Sequence, residues 1–390
     1  MPWEEVTAMS RRQEFVHLAQ GEDANMSRLC SRFGISRKTG YKWLERFLQQ
    51  GEAGLSDVSR RPRTSPNTTA AVIEQAVLEL REAHPAWGGR KLRKRLEALG
   101  FLGVPAASTI TAILKRNGRI DPEQSAKHTA WQSFEAEAPN DLWQMDFKGH
   151  FEMAGGRCHP LTVLDDHSRF SLCLAACSDE RLATVRQALE STFRRYGLPR
   201  RMLVDNGPPW GDPERPGYTA FMVWLIRLGV RVSKSRVRHP QTLGKDERFH
   251  RTLKAEVIKY CSNATLAQCQ QRFDGWRNIY NLERPHEAIG MAVPVSRYRE
   301  SPRPFPEPLP TIEYGPGDMV RKVMDGGVIS YRNREYRIGK AFTGHPLALR
   351  ATRTDGVLEV FFCHEKLGRI DLAKPDPTII FEQRLRHHEF

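Results

Sequence analysis

Three acidic residues in this chain of 390 residues stand in sequence surroundings that suit chemistry on phosphate. Asp146 lies in Trp-Gln-Met-Asp-Phe, Asp205 lies in Leu-Val-Asp-Asn-Gly, and Glu247 lies in a strongly basic segment. Between positions 234 and 259 there are eight Lys or Arg residues against three acids. Carboxylate oxygens suit Mg²⁺, and basic residues beside them attract phosphate. We therefore predict that Asp146, Asp205 and Glu247 are metal-binding catalytic residues that act on nucleic acid.

The chemistry predicted for these three acids is phosphodiester cleavage or transfer. Two Mg²⁺ ions about 3.5–4 Å apart can activate an oxygen nucleophile, stabilise the leaving oxygen and neutralise the charge between them. Water and substrate phosphate complete the coordination, so few carboxylates are needed, and Mn²⁺ can substitute for Mg²⁺. The sequence contains no Cys/His spacing typical of zinc and no nucleophile elbow typical of a serine hydrolase.

Hydrophobic patterning from residue 140 onward predicts the scaffold that positions the acids. The predicted elements are strands at 142–151, 160–164, 170–176, 201–204 and 230–233, and helices at 182–196, 218–228 and from residue 245. This order predicts a multidomain α/β protein whose core is a mixed sheet flanked by helices. If the strands that bear Asp146 and Asp205 are neighbours, both carboxylates reach one edge of the sheet. Glu247, on the last helix, can then close the metal cage.

The helix of Glu247 also carries basic side chains. His250, Arg251 and Lys254 follow Glu247 by three, four and seven residues, so they are predicted to share its face and to contact DNA. Asp246 is the main rival of Glu247. Neighbouring side chains on a helix point about 100° apart, so only one of the two acids can face the cage.

Asp165 and Asp166 are weaker rivals for the metal. They end a predicted strand and precede His167-Ser168-Arg169. This pattern is typical of a turn held by local hydrogen bonds from the acidic side chains. We therefore predict a structural role for both.

The first 60 residues predict a helix-turn-helix domain. One helix has its apolar face at Phe15, Val16, Leu18 and Ala19, and a second, with Leu29, Cys30 and Phe33, ends at Gly34. Ser36 is the predicted N-cap of a third helix, with Tyr41, Leu44 and Phe47 on its apolar side. The residues of this third helix predicted to contact DNA are Arg37, Lys38, Thr39, Lys42 and Arg46.

Residues 61–120 predict a second helical, helix-turn-helix-like DNA-binding domain. Its apolar positions are Ile73, Val77, Leu80, Leu92, Leu96, Leu99, Ile110, Ile113 and Leu114, with Ser108 as the predicted cap of the last helix. Its predicted DNA contacts are Arg90, Lys91 and Lys94. Residues 121–138, low in apolar content, are predicted to be a linker.

The C-terminal part predicts a small β-barrel over residues 311–373, followed by a flexible basic tail at 374–390. Arg332-Asn333 and Thr354-Asp355-Gly356 are typical hairpin turns. The net charge is +14, which favours a polyanionic partner. Seven cysteines without paired spacing favour free thiols in a reducing compartment, and no apolar stretch is long enough for a membrane helix. We expect a cytoplasmic, nucleoid-associated protein.

These motifs together resemble the bacterial insertion-sequence transposases of the DDE group, whose catalytic core is similar to that of retroviral integrase and ribonuclease H. The residues that carry the resemblance are Asn140, Trp143, Asp146, Leu164 to Arg169, Asp205-Asn206-Gly207, His239-Pro240-Gln241, Gly244, Glu247-Arg248-Phe249, Leu253-Lys254, Tyr280-Asn281 and Arg284-Pro285-His286. The sequence departs from the family pattern at Leu243, where an asparagine is common. A further departure is the interval of 41 residues between Asp205 and Glu247.

The resemblance implies a ribonuclease H-like core over residues 139–300, with Asp146, Asp205 and Glu247 as ligands of two Mg²⁺ ions. It implies nicking of transposon ends by water and attack of the freed 3′-hydroxyl on target DNA. It also implies double-stranded DNA as partner, both as terminal repeats and as target, and at least a dimer on DNA. The alternative function is a DNA-binding regulator that descends from a transposase and no longer cuts. The complete set of three acids favours the enzyme.

Overall fold

The computed structural model describes residues 7–57, 68–120, 135–205, 207–211, 217–234, 244–374 and 379–381. Most of the predicted linker at 121–138 and most of the predicted tail at 374–390 lie outside these residues. The chain divides into two compact units, Met1–Thr68 and Thr69–Phe390. The second helical domain therefore belongs to the same unit as the predicted catalytic core.

The first unit contains three helices, as predicted. They are α1 (Ala8–Ala19), α2 (Met26–Arg32) and α3 (Arg37–Gln50). The side chain of Ser36 accepts a hydrogen bond from the backbone of Thr39, which confirms the predicted N-cap of α3. The prediction for the apolar face of α3 was wrong at Tyr41, which is 57% exposed, because Trp43 is the residue that enters the core. Gly40 permits the close approach of α3 to α2, since a Cβ there would lie 2.5 Å from the Cys30 sulfur.

The second unit begins with α4 (Ala71–Ala83), α5 (Gly89–Ala98) and α6 (Ala107–Arg116). These helices enclose a core of their own around Trp87, which is fully buried. Two predictions were wrong here. Ser108 lies inside α6, whose N-cap is Ala106 and has no side-chain cap. Leu99 is half-exposed because α5 ends before it.

The part predicted to be the catalytic core is a mixed sheet with helices on both faces, as expected. Its elements are β1 (Trp143–Phe147), β2 (Phe151–Met153), β3 (Gly156–Asp165), β4 (Ser171–Cys177), α7 (Leu182–Tyr196), β5 (Arg201–Val204), α8 (Ala220–Arg227), β6 (Arg231–Lys234), α9 (Gly244–Glu256) and α10 (Leu266–Leu282). The strand order is β2-β3-β1-β5-β6, and β4 also pairs with β3. Pairing is antiparallel between β1, β3 and β4, and parallel between β1, β5 and β6. Helices α7 and α8 cover one face, and α9 and α10 cover the other.

Strand β4 lies at the edge of this sheet, and side chains of α10 bind its outward backbone groups. Asn281 accepts a hydrogen bond from the Ser171 N–H (2.8 Å) and donates one to the Ser171 carbonyl (3.0 Å). Gln270 makes the same two types of bond with Ala176 and Leu174. Buried backbone groups need such partners, so α10 closes the edge without adding a strand. The contacts explain the asparagine of the Tyr280-Asn281 motif.

We expect Asn281→Ala to lower the free energy of unfolding by about 1–3 kcal/mol, because it leaves a buried donor and a buried acceptor without partners. Denaturant unfolding of the full chain measures this change. Asn278→Ala is the matched control, since Asn278 is exposed on the same helix. Equal stability of the two variants would show that the Asn281 contacts do not hold the edge.

Helix α5 docks onto the catalytic core through ion pairs. Arg95 pairs with Glu283, which follows α10. Glu287 lies between two cations, 3.9 Å from Arg90 of α5 and 3.6 Å from Arg248 of α9. The second helical domain is therefore attached directly to the helix that carries Glu247.

The C-terminal part is all β, but closure into a barrel is not confirmed. Its strands are β7 (Met319–Lys322), β8 (Val328–Tyr331), β9 (Arg334–Arg337), β10 (Pro346–Ala351), β11 (Val357–Phe362), β12 (Glu365–Asp371) and β13 (Ile380–Phe381). Five of them form an antiparallel sheet in the order β13-β12-β11-β10-β7, and β8 pairs with β9. The predicted turn at Arg332-Asn333 is present, with positive φ at both residues. Val223 and Ile226 of α8 join the core of this part.

Candidate active site

Asp146 and Asp205 lie side by side because their strands are parallel neighbours. Trp143 of β1 pairs with Met202 of β5, and Gln144 pairs with Leu203. Two residues further on, this register brings Asp146 level with Asp205, which directly follows β5. The side chain of Asp205 accepts a hydrogen bond from the Gly207 N–H (3.1 Å). The sequence prediction was conditional on the two strands being neighbours, and this condition is met.

Negative charge accumulates at this pair of aspartates. Burial, with a smaller contribution from the charge of Asp205, raises the pKa of Asp146 to about 7. Burial also raises the pKa of Asp205. A divalent cation held between the two carboxylates would offset both effects, because it stabilises the ionised forms. The oxygen donors and their shared charge therefore fit a metal such as Mg²⁺.

Glu180 is a further acid near the pair that the sequence patterns did not single out. It follows β4, and its carboxylate lies within hydrogen-bond distance of Nδ1 of His159 (2.8 Å). The charge of Glu180 raises the pKa of both Asp146 and Asp205. The position of Glu180 in the short segment between the predicted strand at 170–176 and the predicted helix at 182–196 was an available signal. Its proximity to Asp146 depends on the strand order, which the sequence does not reveal.

Glu247 is exposed on α9, and its neighbour Asp246 is buried. The buried residues of α9 are Asp246, Phe249, His250, Thr252 and Leu253. Within the described ranges, no three His, Cys, Asp or Glu side chains are close enough together to hold one metal ion. The structure thus brings Asp146 and Asp205 together and leaves Glu247 at the flank of α9, one turn before His250.

Asp246 lies on the inward side of α9, and its carboxylate is fully buried. Neither of its oxygens has a hydrogen-bond partner in the described part of the chain. Burial raises the pKa of Asp246, and the charges of Asp146 and Asp166 raise it further. The two candidates for the third metal ligand therefore differ in burial. Asp246 is buried on the side of Asp146, and Glu247 is exposed.

His250 is buried as well, and this corrects the expectation that it contacts DNA at the surface. Its Nε2 lies 2.8 Å from the hydroxyl of Thr162, and its Nδ1 lies 3.9 Å from Asp146. Burial, with a smaller contribution from the charge of Lys148, lowers the pKa of His250 to about 3. The ring is therefore neutral and inside the protein.

Asp165 and Asp166 have the structural role predicted for them. Asp165 accepts hydrogen bonds from the backbone of Asn140 (2.7 Å) and from the backbone and hydroxyl of Ser168. Asp166 is bound by the Ala136 N–H (2.7 Å), by Gln144 and by Lys245. Both carboxylates therefore make their hydrogen bonds and ion pairs with other groups of the protein.

The basic residues predicted to bind DNA fall into two groups. Those with exposed side chains are Arg37, Lys38, Lys42, Arg90, Lys94, Arg251 and Lys254. Thr39 and Arg46 are less accessible, because Thr39 shares the Ser36 cap and Arg46 packs on the Trp43 ring. Lys91 is half-buried at the junction of α5 with the core, where burial and Arg284 lower its pKa to about 7. Its role at this junction competes with the predicted DNA contact.

No helix in the described ranges is both long and apolar enough to cross a membrane.

Protein-family models match consecutive parts of the chain. The model of the IS481 family transposase C-terminal domain matches residues 318–378. Two models of the integrase core domain match residues 136–240 and 228–294. A helix-turn-helix domain model matches residues 11–63, and a homeodomain-like domain model matches residues 39–114.

Among curated proteins, the chain is similar to the insertion element IS476 uncharacterized 39.2 kDa protein of Xanthomonas euvesicatoria. The two are 26% identical over 246 residues, which are 62% of this chain and 69% of that protein. The insertion element IS407 uncharacterized 31.7 kDa protein of Burkholderia multivorans is 27% identical over 251 residues, 62% of this chain and 86% of that protein. The Gag-Pol polyprotein of baboon endogenous virus is 25% identical over 218 residues, 54% of this chain and 12% of that protein.

Two solved structures are also similar. One is the HTLV-2 integrase catalytic core domain in complex with magnesium, at 17% identity and a TM-score of 0.34, covering 42% of this chain and all of that chain. The other is the simian T-cell lymphotropic virus intasome in complex with PP2A regulatory subunit B56 gamma. It has 14% identity and a TM-score of 0.39, and the match covers 73% of this chain and 91% of that chain. From the family models and the insertion-element relatives, the chain is a bacterial insertion-sequence transposase with helix-turn-helix domains and an integrase-like core, a polynucleotidyl transferase.

Proposed function

We propose that this transposase binds the terminal repeats of its mobile element, cuts DNA at those ends and joins the freed 3′-hydroxyl to target DNA. The observation that carries the proposal is the Asp146–Asp205 pair at one edge of the mixed sheet. Two half-buried carboxylates that repel each other are a costly arrangement for stability alone. A divalent cation makes the same arrangement favourable.

Asp146 and Asp205 would hold the metal, and Glu247 would complete its carboxylate ligands from the flank of α9. The metal, two Mg²⁺ ions in our proposal, would supply an activated oxygen nucleophile and a stabilised leaving oxygen. Arg251 and Lys254, exposed on the same helix as Glu247, would hold the phosphates of the strand to be cut. In this proposal, the metal at the sheet edge would neutralise charge, and the basic residues of α9 would bind the substrate.

DNA recognition is assigned to the two helical domains. The exposed residues at the start of α3, Arg37 and Lys38, would contact DNA in the manner of a recognition helix. Arg90 and Lys94 on α5 would contribute phosphate contacts close to the catalytic core. Joining two ends of one element requires two sets of these domains, so we propose at least a dimer on DNA.

The test is a nicking and joining assay on a supercoiled plasmid that carries the element's terminal repeats. With Mg²⁺ we expect nicked plasmid and joined products, and with EDTA we expect neither, because the carboxylate pair cannot neutralise the transition state alone. A gel that separates supercoiled, nicked and joined DNA measures both steps. Cleavage in EDTA would contradict the metal-dependent mechanism. Repeat binding without cleavage in any metal would favour the regulator instead.

A further inference from the structure

A chain of two hydrogen bonds connects α9 to the backbone of Asp146. Thr162 of β3 is the cross-strand partner of Asp146. The Thr162 hydroxyl donates to the Asp146 carbonyl oxygen (2.9 Å), and the same hydroxyl lies 2.8 Å from Nε2 of His250. All three residues are on the sheet face that α9 covers. Thr162 and His250 are both buried.

The direction of these bonds determines the tautomer of His250. A hydroxyl has one proton to donate, and that of Thr162 goes to the Asp146 carbonyl. The Thr162 oxygen must therefore accept its second bond, so the proton on the neutral imidazole is on Nε2. Nδ1 is then an unprotonated acceptor, and it is the atom that lies 3.9 Å from the Asp146 carboxylate.

The position of His250 on α9 gives this connection a consequence for Glu247. Glu247 precedes His250 by three residues, so it lies about 60° away around the same helix and less than one turn along it. A bond that fixes His250 against the cross-strand partner of Asp146 therefore fixes the Glu247 backbone relative to Asp146. The two hydrogen bonds therefore connect the helix of Glu247 to the strand of Asp146.

We propose that His250 is a positioning residue: through its Nε2–H bond to Thr162, it sets the distance between α9 and β1 at which Glu247 and Asp146 bind one metal. The inference rests on the proposed metal-dependent function. It assigns to His250 a role inside the protein in place of the surface contact expected from the sequence. Groups that orient metal ligands in this way commonly change metal affinity about 10–100-fold when removed.

Two substitutions of His250 separate its two nitrogen atoms. In His250→Gln the side-chain amide can reach the position of Nε2 and donate to Thr162, and in His250→Asn the amide reaches only the position of Nδ1. Thr162→Val removes the hydroxyl at nearly constant volume, and Thr162→Ser retains it. We would measure Mn²⁺ binding to each full-length variant by the electron paramagnetic resonance signal of free Mn²⁺. Thermal unfolding of each variant would be recorded in parallel.

We expect His250→Gln and Thr162→Ser to bind Mn²⁺ like the wild type, and His250→Asn and Thr162→Val to bind about tenfold more weakly. Equal affinity of His250→Gln and His250→Asn would overturn the proposal. So would an unchanged affinity of Thr162→Val.

The tautomer can be read without any metal. In ¹⁵N-histidine spectra of the metal-free protein we expect the His250 signal, assigned from its loss in His250→Gln, to show a proton on Nε2 and none on Nδ1. A proton on Nδ1 would overturn the proposal. A wild type that shows the expected tautomer but binds no Mn²⁺ would instead contradict the metal in the proposed function, so the two failures are distinguishable.

Discussion

Asp205→Asn is expected to abolish nicking and joining while raising the stability of the protein. Removing one group that stabilises transition-state charge costs on the order of 10³-fold in rate, and Asp205 is one of the two carboxylates proposed to hold the metal at the sheet edge. Burial is the main cause of the raised pKa of Asp146, and the same substitution removes the next cause, the charge of Asp205. The Asp146 carboxyl should therefore return toward its ordinary pKa, and the melting temperature should rise, as is common where a strained site is relieved.

The matched control is Glu152→Gln, the same change of acid to amide at an exposed residue of β2 that pairs with Arg157. This variant should cut DNA like the wild type. Binding of terminal-repeat DNA should be equal in all three proteins, because the helical domains are unchanged. Nicking by Asp205→Asn at the wild-type rate would remove Asp205 from the catalytic residues.

A second pair of variants compares two adjacent acids. Glu247→Gln and Asp246→Asn each replace a carboxylate with an amide. We expect Glu247→Gln to lose cleavage on the order of 10³-fold and to keep its stability, because Glu247 is exposed. We expect Asp246→Asn to keep cleavage. Its stability should increase by about 1–3 kcal/mol, since a buried carboxylate without hydrogen-bond partners is replaced by a neutral amide.

Cleavage assays and denaturant unfolding of both variants decide which acid belongs to the metal. The opposite result, with cleavage lost in Asp246→Asn and kept in Glu247→Gln, would assign the third ligand to Asp246. Loss in both variants would mean that the start of α9 is sensitive to any change, and the assignment of Glu247 alone would then be wrong.

The regular parts of the core were predictable from local patterns. Helix α7 and strand β5 begin and end where the apolar spacing predicts, because each buries one strongly patterned segment. Helix α10 was not predicted, although a capping box at Thr265 and Gln268 and apolar residues at Cys269, Phe273 and Trp276 were available signals.

The candidate site was predictable only in part. The neighbours of Asp146 and Asp205 in sequence indicate strand ends, and strand pairing confirms that the two acids are adjacent. The orientation of α9 was beyond local reasoning, because Asp246 and His250 place polar groups on the face that packs against the sheet. A periodicity of apolar residues does not reveal such a face, and the inward position of His250 depends on Thr162, which lies 88 residues earlier in the chain.

The docking of α5 onto the core has a consequence for where DNA is cut. Arg95 pairs with Glu283, and Glu287 lies between Arg90 and Arg248, so the second helical domain contacts the helix of Glu247 within one compact unit. A repeat held by that domain, as we propose, would present its scissile phosphate at a set number of base pairs from the recognised sequence. The distance from the recognised sequence would then determine the cleavage position, and the bases at that position would be free to vary.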